Sequence, residues 1–203
     1  RPVRFNKTQP GLYVARKAEC LAKVDVLQAS SFATKVTEIG ETFPATEIDI
    51  GSAAIDRDAS HRPDRYTLVN IDNPANESGA IDTVEVYGGA SGGDDLWAGT
   101  FSHGGSNVLT CRDSQSCGEG AAGTKTTFTG LDITVEAGDH LGCFCFNEGL
   151  ATSRVESSSS GFSGVWYKPG EYIDPGDSAT FSTYTGDTIS LYGTGETGVV
   201  EPD

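Results

Sequence analysis

Three sets of residues in this chain carry side chains suited to chemistry: carboxylate pairs between apolar runs, a handful of Trp and Tyr residues, and five cysteines. The carboxylates come as Asp56 and Asp58, Asp94 and Asp95, and Asp174 and Asp177. Calcium takes hard oxygen ligands on pliable loop backbone, so these pairs are the natural cation candidates, with solvated loop carboxylates as the plainer use. None has EF-hand spacing. Asp94 and Asp95 are the best placed, and Asp174 and Asp177 complete the set. No cofactor is required by this reading, and calcium is the one it admits.

Trp97, Trp166, Tyr167 and Tyr172 offer ring faces on which sugars stack, which would make a carbohydrate-binding platform; core packing is the commoner use of Trp in a β-sandwich. The cysteines are Cys20, Cys111, Cys117, Cys143 and Cys145, without zinc-ribbon or haem-attachment spacing. Cys143 and Cys145 flank one residue of a strand and point the same way, a poor geometry for a bridge. Cys111 and Cys117 bracket the polar stretch RDSQS, read as a loop, and are the expected disulfide, the alternative being small buried hydrophobes or free thiols.

Nucleophilic and metal-hydrolytic chemistry finds little support. His61, His103 and His140 are scattered, with no HExxH, nucleophile elbow or phosphate-cradling glycine loop before a helix. Gly176-Asp177-Ser178 follows Pro175 late in a strand-rich region, outside any strand-turn-helix setting. The chain is read as a non-enzyme. Sequons stand at Asn6-Lys7-Thr8 and Asn76-Glu77-Ser78, of use only in a glycosylating host.

The elements that would position these residues are strands. In TTFTGLDITVEAGDHLGCFCF, residues 126–146, Leu131, Ile133 and Val135 alternate with polar residues, Ala137-Gly138-Asp139 breaks the run, and an apolar strand follows. The stretch reads as a hairpin. Its second strand places Leu141, Cys143 and Cys145 on one face and Phe144 and Phe146 on the other, so it is expected to lie centrally between two packed layers. Further strands are expected over 66–71, 80–89, 95–101, 107–113, 164–170, 178–184 and 187–193, while 48–65 reads as a polar loop. Pro44 excludes a central strand over 39–50, a linker. The predicted fold is all-β: an antiparallel, jelly-roll-like β-sandwich over 48–197, with an extended N-terminal arm and linker over 1–47 and a tail over 198–203. Gly-Asp stands before an apolar strand twice, at 138–139 and 186–187, read as equivalent turns.

Charge is uneven. Residues 1–35 hold seven basic groups against Glu19 and Asp25, a net of +5, and the rest carries −20 of the total of −15. So acidic a body repels nucleic acid, while a basic arm on it suggests contact between subunits. Within the arm, Cys20, Ala22, Val24 and Val26 alternate with more polar neighbours and would form a strand that seeks a sheet edge. No apolar run approaches the roughly 20 residues of a membrane span. The chain has no Met, even at the start, so Arg1 marks either a cut precursor or an incomplete sequence.

The segments IDIGSAAIDR, TLVNIDNPANESGAIDTVEVY, TFTGLDITVEAGD, GVWYKPG and GDTISLYGTG, across residues 48–195, resemble an uncharacterised β-sandwich module of phage-like and environmental sequences. That family has no established activity; the resemblance implies a surface or virion structural protein, with the four body cysteines as a departure. The sequence thus leads to a non-enzymatic structural subunit of a virion or extracellular surface assembly, partnered by copies of itself or another subunit. The rival is a carbohydrate-binding module with glycan partners.

Overall fold

Six consecutive residues, His140–Cys145, are all buried, and the sheets are arranged around them. The computed structural model describes residues 45–146 and 153–197. Its strands are β1 (Glu47–Gly51), β2 (Ala59–His61), β3 (Tyr66–Asn70), β4 (Gly79–Tyr87), β5 (Gly93–His103), β6 (Val108–Gly120), β7 (Lys125–Val135), β8 (His140–Cys145), β9 (Val155–Ser158), β10 (Gly164–Pro169), β11 (Ser178–Thr180), β12 (Ser182–Thr185), β13 (Thr188–Ile189) and β14 (Leu191–Glu196). The fold is all-β, as expected. All the pairings between these strands are antiparallel. The arm residues Cys20, Ala22, Val24 and Val26, and the tail from residue 198, lie outside the described residues.

Strands β1, β14, β4 and β7 form one sheet in that order; β11, β6, β5, β8, β3, β10 and β12 form a second, and β13, β9 and β2 a small third. β8 stands in the middle of the seven, apolar on both faces as its sequence predicts. Leu141, Cys143 and Cys145 join Ile48, Ile50, Ile81, Val84, Ile133 and Leu191 in a core between the first two sheets. Phe144 points the other way, into a core of Val69, Phe101, Leu109, Cys111, Trp166, Ile173 and Phe181. Each large apolar side chain buried there contributes about 1.5–3 kcal/mol.

The second core is enclosed because the seven-stranded sheet curls. Its two edge strands, β11 and β12, are separated in sequence by Phe181 alone, so residues 178–185 pair with β6 on one side and β10 on the other. Phe181 is buried at the junction. The sheet is a nearly closed barrel, and the first sheet packs on its flank. A single strand over 178–184 was expected; the break at Phe181 is what lets one stretch serve both edges.

The predicted hairpin over 126–146 is corrected. Among the described residues β7 pairs with β4 alone, whereas β8 pairs with β3 and β5, so the turn between them crosses from one sheet to the other. Gly138 does take the positive φ of a tight turn, 91°. Turn chemistry is the same for a hairpin and a crossing, and the burial of both faces of β8 decides between them. Gly186, φ 89°, likewise carries the chain from the barrel to the third sheet. The segment read as a polar loop over 48–65 holds β1 and β2, with Ile48 and Ile50 fully buried. β1 is an edge strand, and Pro44 precedes it.

Buried Asn70 ties the barrel to the third sheet. Its Nδ2 donates to the carbonyls of Ile189 and Leu191 at 3.1 and 3.3 Å, and its Oδ1 accepts from the Ile189 N–H at 3.0 Å and the Thr188 hydroxyl at 3.2 Å. Every polar position of the amide is used, which is what burial of an Asn requires.

Candidate functional site

Asp174-Pro175-Gly176-Asp177 is a β-turn closed by the Asp177 N–H donating to the Asp174 carbonyl at 2.9 Å. Pro at the second position supplies φ near −65°, and Gly176 at the third takes φ 96°, the pairing a type II turn demands. The turn is fixed on β6, since the Cys111 N–H donates to the Asp177 carbonyl at 2.8 Å and the Gly176 N–H to the Cys111 carbonyl at 2.9 Å. Ile173, fully buried in the barrel core, anchors the approach. Just before it, Glu171 Oε1 accepts from the backbone N–H groups of Ile173 and Asp174.

This local geometry brings carboxylate oxygens of Glu171, Asp174 and Asp177 within 4.8 Å of one another. Oxygen ligands sit about 2.3–2.6 Å from calcium, so two ligands of one ion lie up to roughly 5 Å apart. The spacing fits a hard divalent cation. Three protein oxygens on a surface turn leave several positions to water, the arrangement of a weak site. Two of the predicted ligands, Asp174 and Asp177, are thus brought together, and Glu171 was missed; its signal was a carboxylate three residues before Asp174 on the same short loop. Asp94 and Asp95 are not in the group. They open β5, where Asp95, at φ 43°, accepts from the Ser116 hydroxyl at 3.0 Å, and the Asp94 N–H donates to Ser153 Oγ at 3.0 Å.

The expected Cys111–Cys117 disulfide is not formed: Cys111, Cys117, Cys143 and Cys145 are all free thiols. RDSQS is not a loop but the middle of β6, and six residues of extended strand hold the two sulfurs roughly 20 Å apart along the chain. Cys111 lies in the barrel core and its Sγ donates to the Ile173 carbonyl at 3.1 Å, while Cys117 packs against the other core. Burial pushes Cys111, Cys117 and Cys145 up to about 12, with Asp113, Asp177, Asp174 and Glu171 adding to the rise at Cys111. Fully buried Cys143 is pushed well up too. Thiols so held stay protonated at neutral pH and are poor nucleophiles.

The four aromatics of the carbohydrate alternative fall on two faces of the barrel wall. Trp166, Trp97 and Tyr172 belong to the inner core; Trp166 is only 5% exposed and its Nε1 donates to Asn107 Oδ1 at 3.2 Å. Tyr167 packs against the core between the sheets and stacks on Tyr184 at 3.8 Å, which in turn stacks on His61 at 4.8 Å. His61 Nε2 meets Asp187, the second Gly-Asp aspartate, at 2.9 Å. His140 Nδ1–H donates to the Asn70 carbonyl at 3.1 Å, and burial lowers its pKa, keeping the ring neutral. Trp166 fills the space between His140 and His103, 4.8 Å from each. Rings and imidazoles are thus engaged with one another as packing.

No family model matches the sequence, and the search of curated proteins finds no match. Among solved structures, the chain is similar to the cysteine protease and lectin-like domains of Cwp84, a surface layer associated protein of Clostridium difficile. The similarity has a TM-score of 0.42 at 9% identity and covers 66% of this chain but only 32% of that one. Nothing about chemistry follows from a likeness at that level.

Proposed function

We propose that the chain is a non-enzymatic structural subunit of a virion or extracellular surface assembly, associating through its N-terminal arm. The observation that carries this reading is the use made of the reactive side chains. Cys111, Cys143 and Cys145 are buried and Cys117 half-buried, all four held protonated, and His61, His103 and His140 pack against aromatic rings, so the groups that would perform covalent or acid-base work serve to hold the sheets together. A body built as two cores around one barrel wall, with a net charge of −20 over residues 36–203 against +5 over residues 1–35, suits a subunit that is steered onto its neighbours. The Glu171, Asp174 and Asp177 turn is its calcium point, of the weak class that millimolar extracellular calcium fills. Electron microscopy of the purified full-length protein tests the reading. Regular polymers or particle contacts are the expected result; a chain that stays monomeric at every concentration and calcium level overturns it.

A further inference from the structure

The four-stranded sheet has two edges, β1 and β7, and side chains occupy both. Along β1, the Asp49 N–H donates to Asn76 Oδ1 at 2.8 Å while Asn76 Nδ2 donates to the Glu47 carbonyl at 3.1 Å. Two residues on, the Gly51 N–H donates to the Asn73 carbonyl at 2.8 Å and the Gly51 carbonyl accepts from Asn73 Nδ2 at 3.0 Å. Asn73 also donates to the Asp49 carboxylate. These are bonds that a neighbouring strand would otherwise make. The segment is held in place by Ala75, buried between these two asparagines, whose N–H donates to the Asp139 carbonyl and whose carbonyl accepts from the Gly138 N–H, both at 2.8 Å. Pro74, exposed beside it, presents no N–H to a partner.

The β7 edge is treated in the same way by the barrel. The Asp132 N–H donates to Gln115 Oε1 at 2.9 Å and the Thr134 N–H to Asp113 Oδ2 at 2.7 Å, while the Thr134 carbonyl accepts from the Thr100 hydroxyl at 2.7 Å. Since the barrel sheet closes on itself through residues 178–185, β1 is, among the described residues of the two larger sheets, an edge without a register shift whose cover is a short surface segment. Exposed edges of that kind are templates for pairing with further strands.

We infer that Asn73–Asn76 is an edge guard that keeps β1 from pairing with β1 of a second copy of this chain. An antiparallel β1–β1 contact about a two-fold axis near Asp49 would use the same backbone groups on both copies, leave neither edge free, and continue the antiparallel sheet. Glu47 and Asp49 add like charge at that axis, a second deterrent that salt weakens. The inference does not rest on the arm, which parent and variant both carry.

The test compares the full-length parent with the Asn73→Ala/Asn76→Ala chain by sedimentation velocity over a range of concentrations, in low and raised salt, with hydrogen exchange read at the Asp49 amide. The variant is expected to gain a species of twice the parent's mass that grows with concentration and with salt, and its Asp49 amide becomes protected as that species forms. A folded variant that sediments like the parent throughout, with Asp49 merely exchanging faster, overturns the guard. Should the double variant not fold, Asn76→Ala alone retains the Asn73 bonds to Gly51 and gives the same reading. A new species that vanishes when residues 1–44 are removed would assign the edge to the arm and overturn pairing between two β1 strands.

Discussion

Asp139, in the turn that carries the chain from the four-stranded sheet into the barrel, receives both Nε and Nη2 of Arg112 from β6, at 2.5 and 3.1 Å. Its Oδ2 also accepts the Glu136 N–H at 2.9 Å, so one carboxylate closes the turn and fastens it to the barrel wall. Glu136 adds a second contact to the Arg112 guanidinium at 2.8 Å, and the carboxylates hold Arg112 above its ordinary value. Replacing Arg112 by Met leaves Asp139, 3% exposed, without its cation. The expected loss is about 1.5–3 kcal/mol, the range for a hydrogen bond to a charged group. Urea unfolding of Arg112→Met checks it, and a midpoint equal to the parent's would show that the pair does not hold the crossing.

Barrel closure depends on Phe181. It packs edge-on against Phe101 and Tyr172, at 6.3 and 6.1 Å between ring centres, and its N–H donates to the Asn107 carbonyl at 2.8 Å. Phe181→Ala should cost about 3–5 kcal/mol as a large-to-small core change. It should also raise hydrogen exchange selectively in residues 178–185, which pair with both β6 and β10. A uniform loss of protection across all sheets would mean that the junction is not a local clasp.

The raised thiol values give a pH dependence with a definite sign. Cys111, Cys117 and Cys145 have folded-state values raised from 9.0 to about 12, so their contribution to stability is fully present below about 9 and is lost as pH rises through about 12. At pH 8 the native chain should therefore resist alkylation at Cys111, Cys117, Cys143 and Cys145, and all four should react once it is unfolded in urea. Peptide mapping that finds rapid native alkylation at Cys111, or a Cys111–Cys117 bridge, would contradict this placement.

Calcium should raise the melting temperature through the Glu171, Asp174 and Asp177 turn. Binding to the native state alone adds about 1.4 kcal/mol at a tenfold excess over Kd. Asp174→Asn/Asp177→Asn should abolish the calcium shift while retaining the fold, because the turn's backbone bonds to Cys111 do not use the carboxylates. An equal shift in parent and variant would place any bound cation elsewhere.

What the sequence revealed and concealed follows from how local each signal is. β8 declared its central position because burial of both faces writes an unbroken apolar run, LGCFC, whatever the rest of the chain does. Asp174 and Asp177 were legible as a pair of loop carboxylates, and the Pro-Gly between them makes the turn that brings them together. β6 was mistaken for a loop around RDSQS because its half-buried positions hold polar residues that cap β7, a role visible only once the sheets are assembled. The same holds for Asn73 and Asn76: the sequence shows the sequon at Asn76, and the two act as surrogate strand partners. Phe181 looked like one more strand residue, since barrel closure is a property of two distant pairings.

The central claim, that the body is a subunit joined to its neighbours by the arm, is tested most directly by removing the arm. The cut belongs after residue 44. Thr46 exchanges bonds with Thr197, at 3.0 and 3.1 Å, and β1 begins at Glu47, so a deletion to residue 47 would strip the body itself. Light scattering of residues 45–203 beside the full chain, under the conditions where the full chain assembles, should show a folded, soluble body that no longer associates. If that body still forms the same polymer or particle contact, the arm is not the connector.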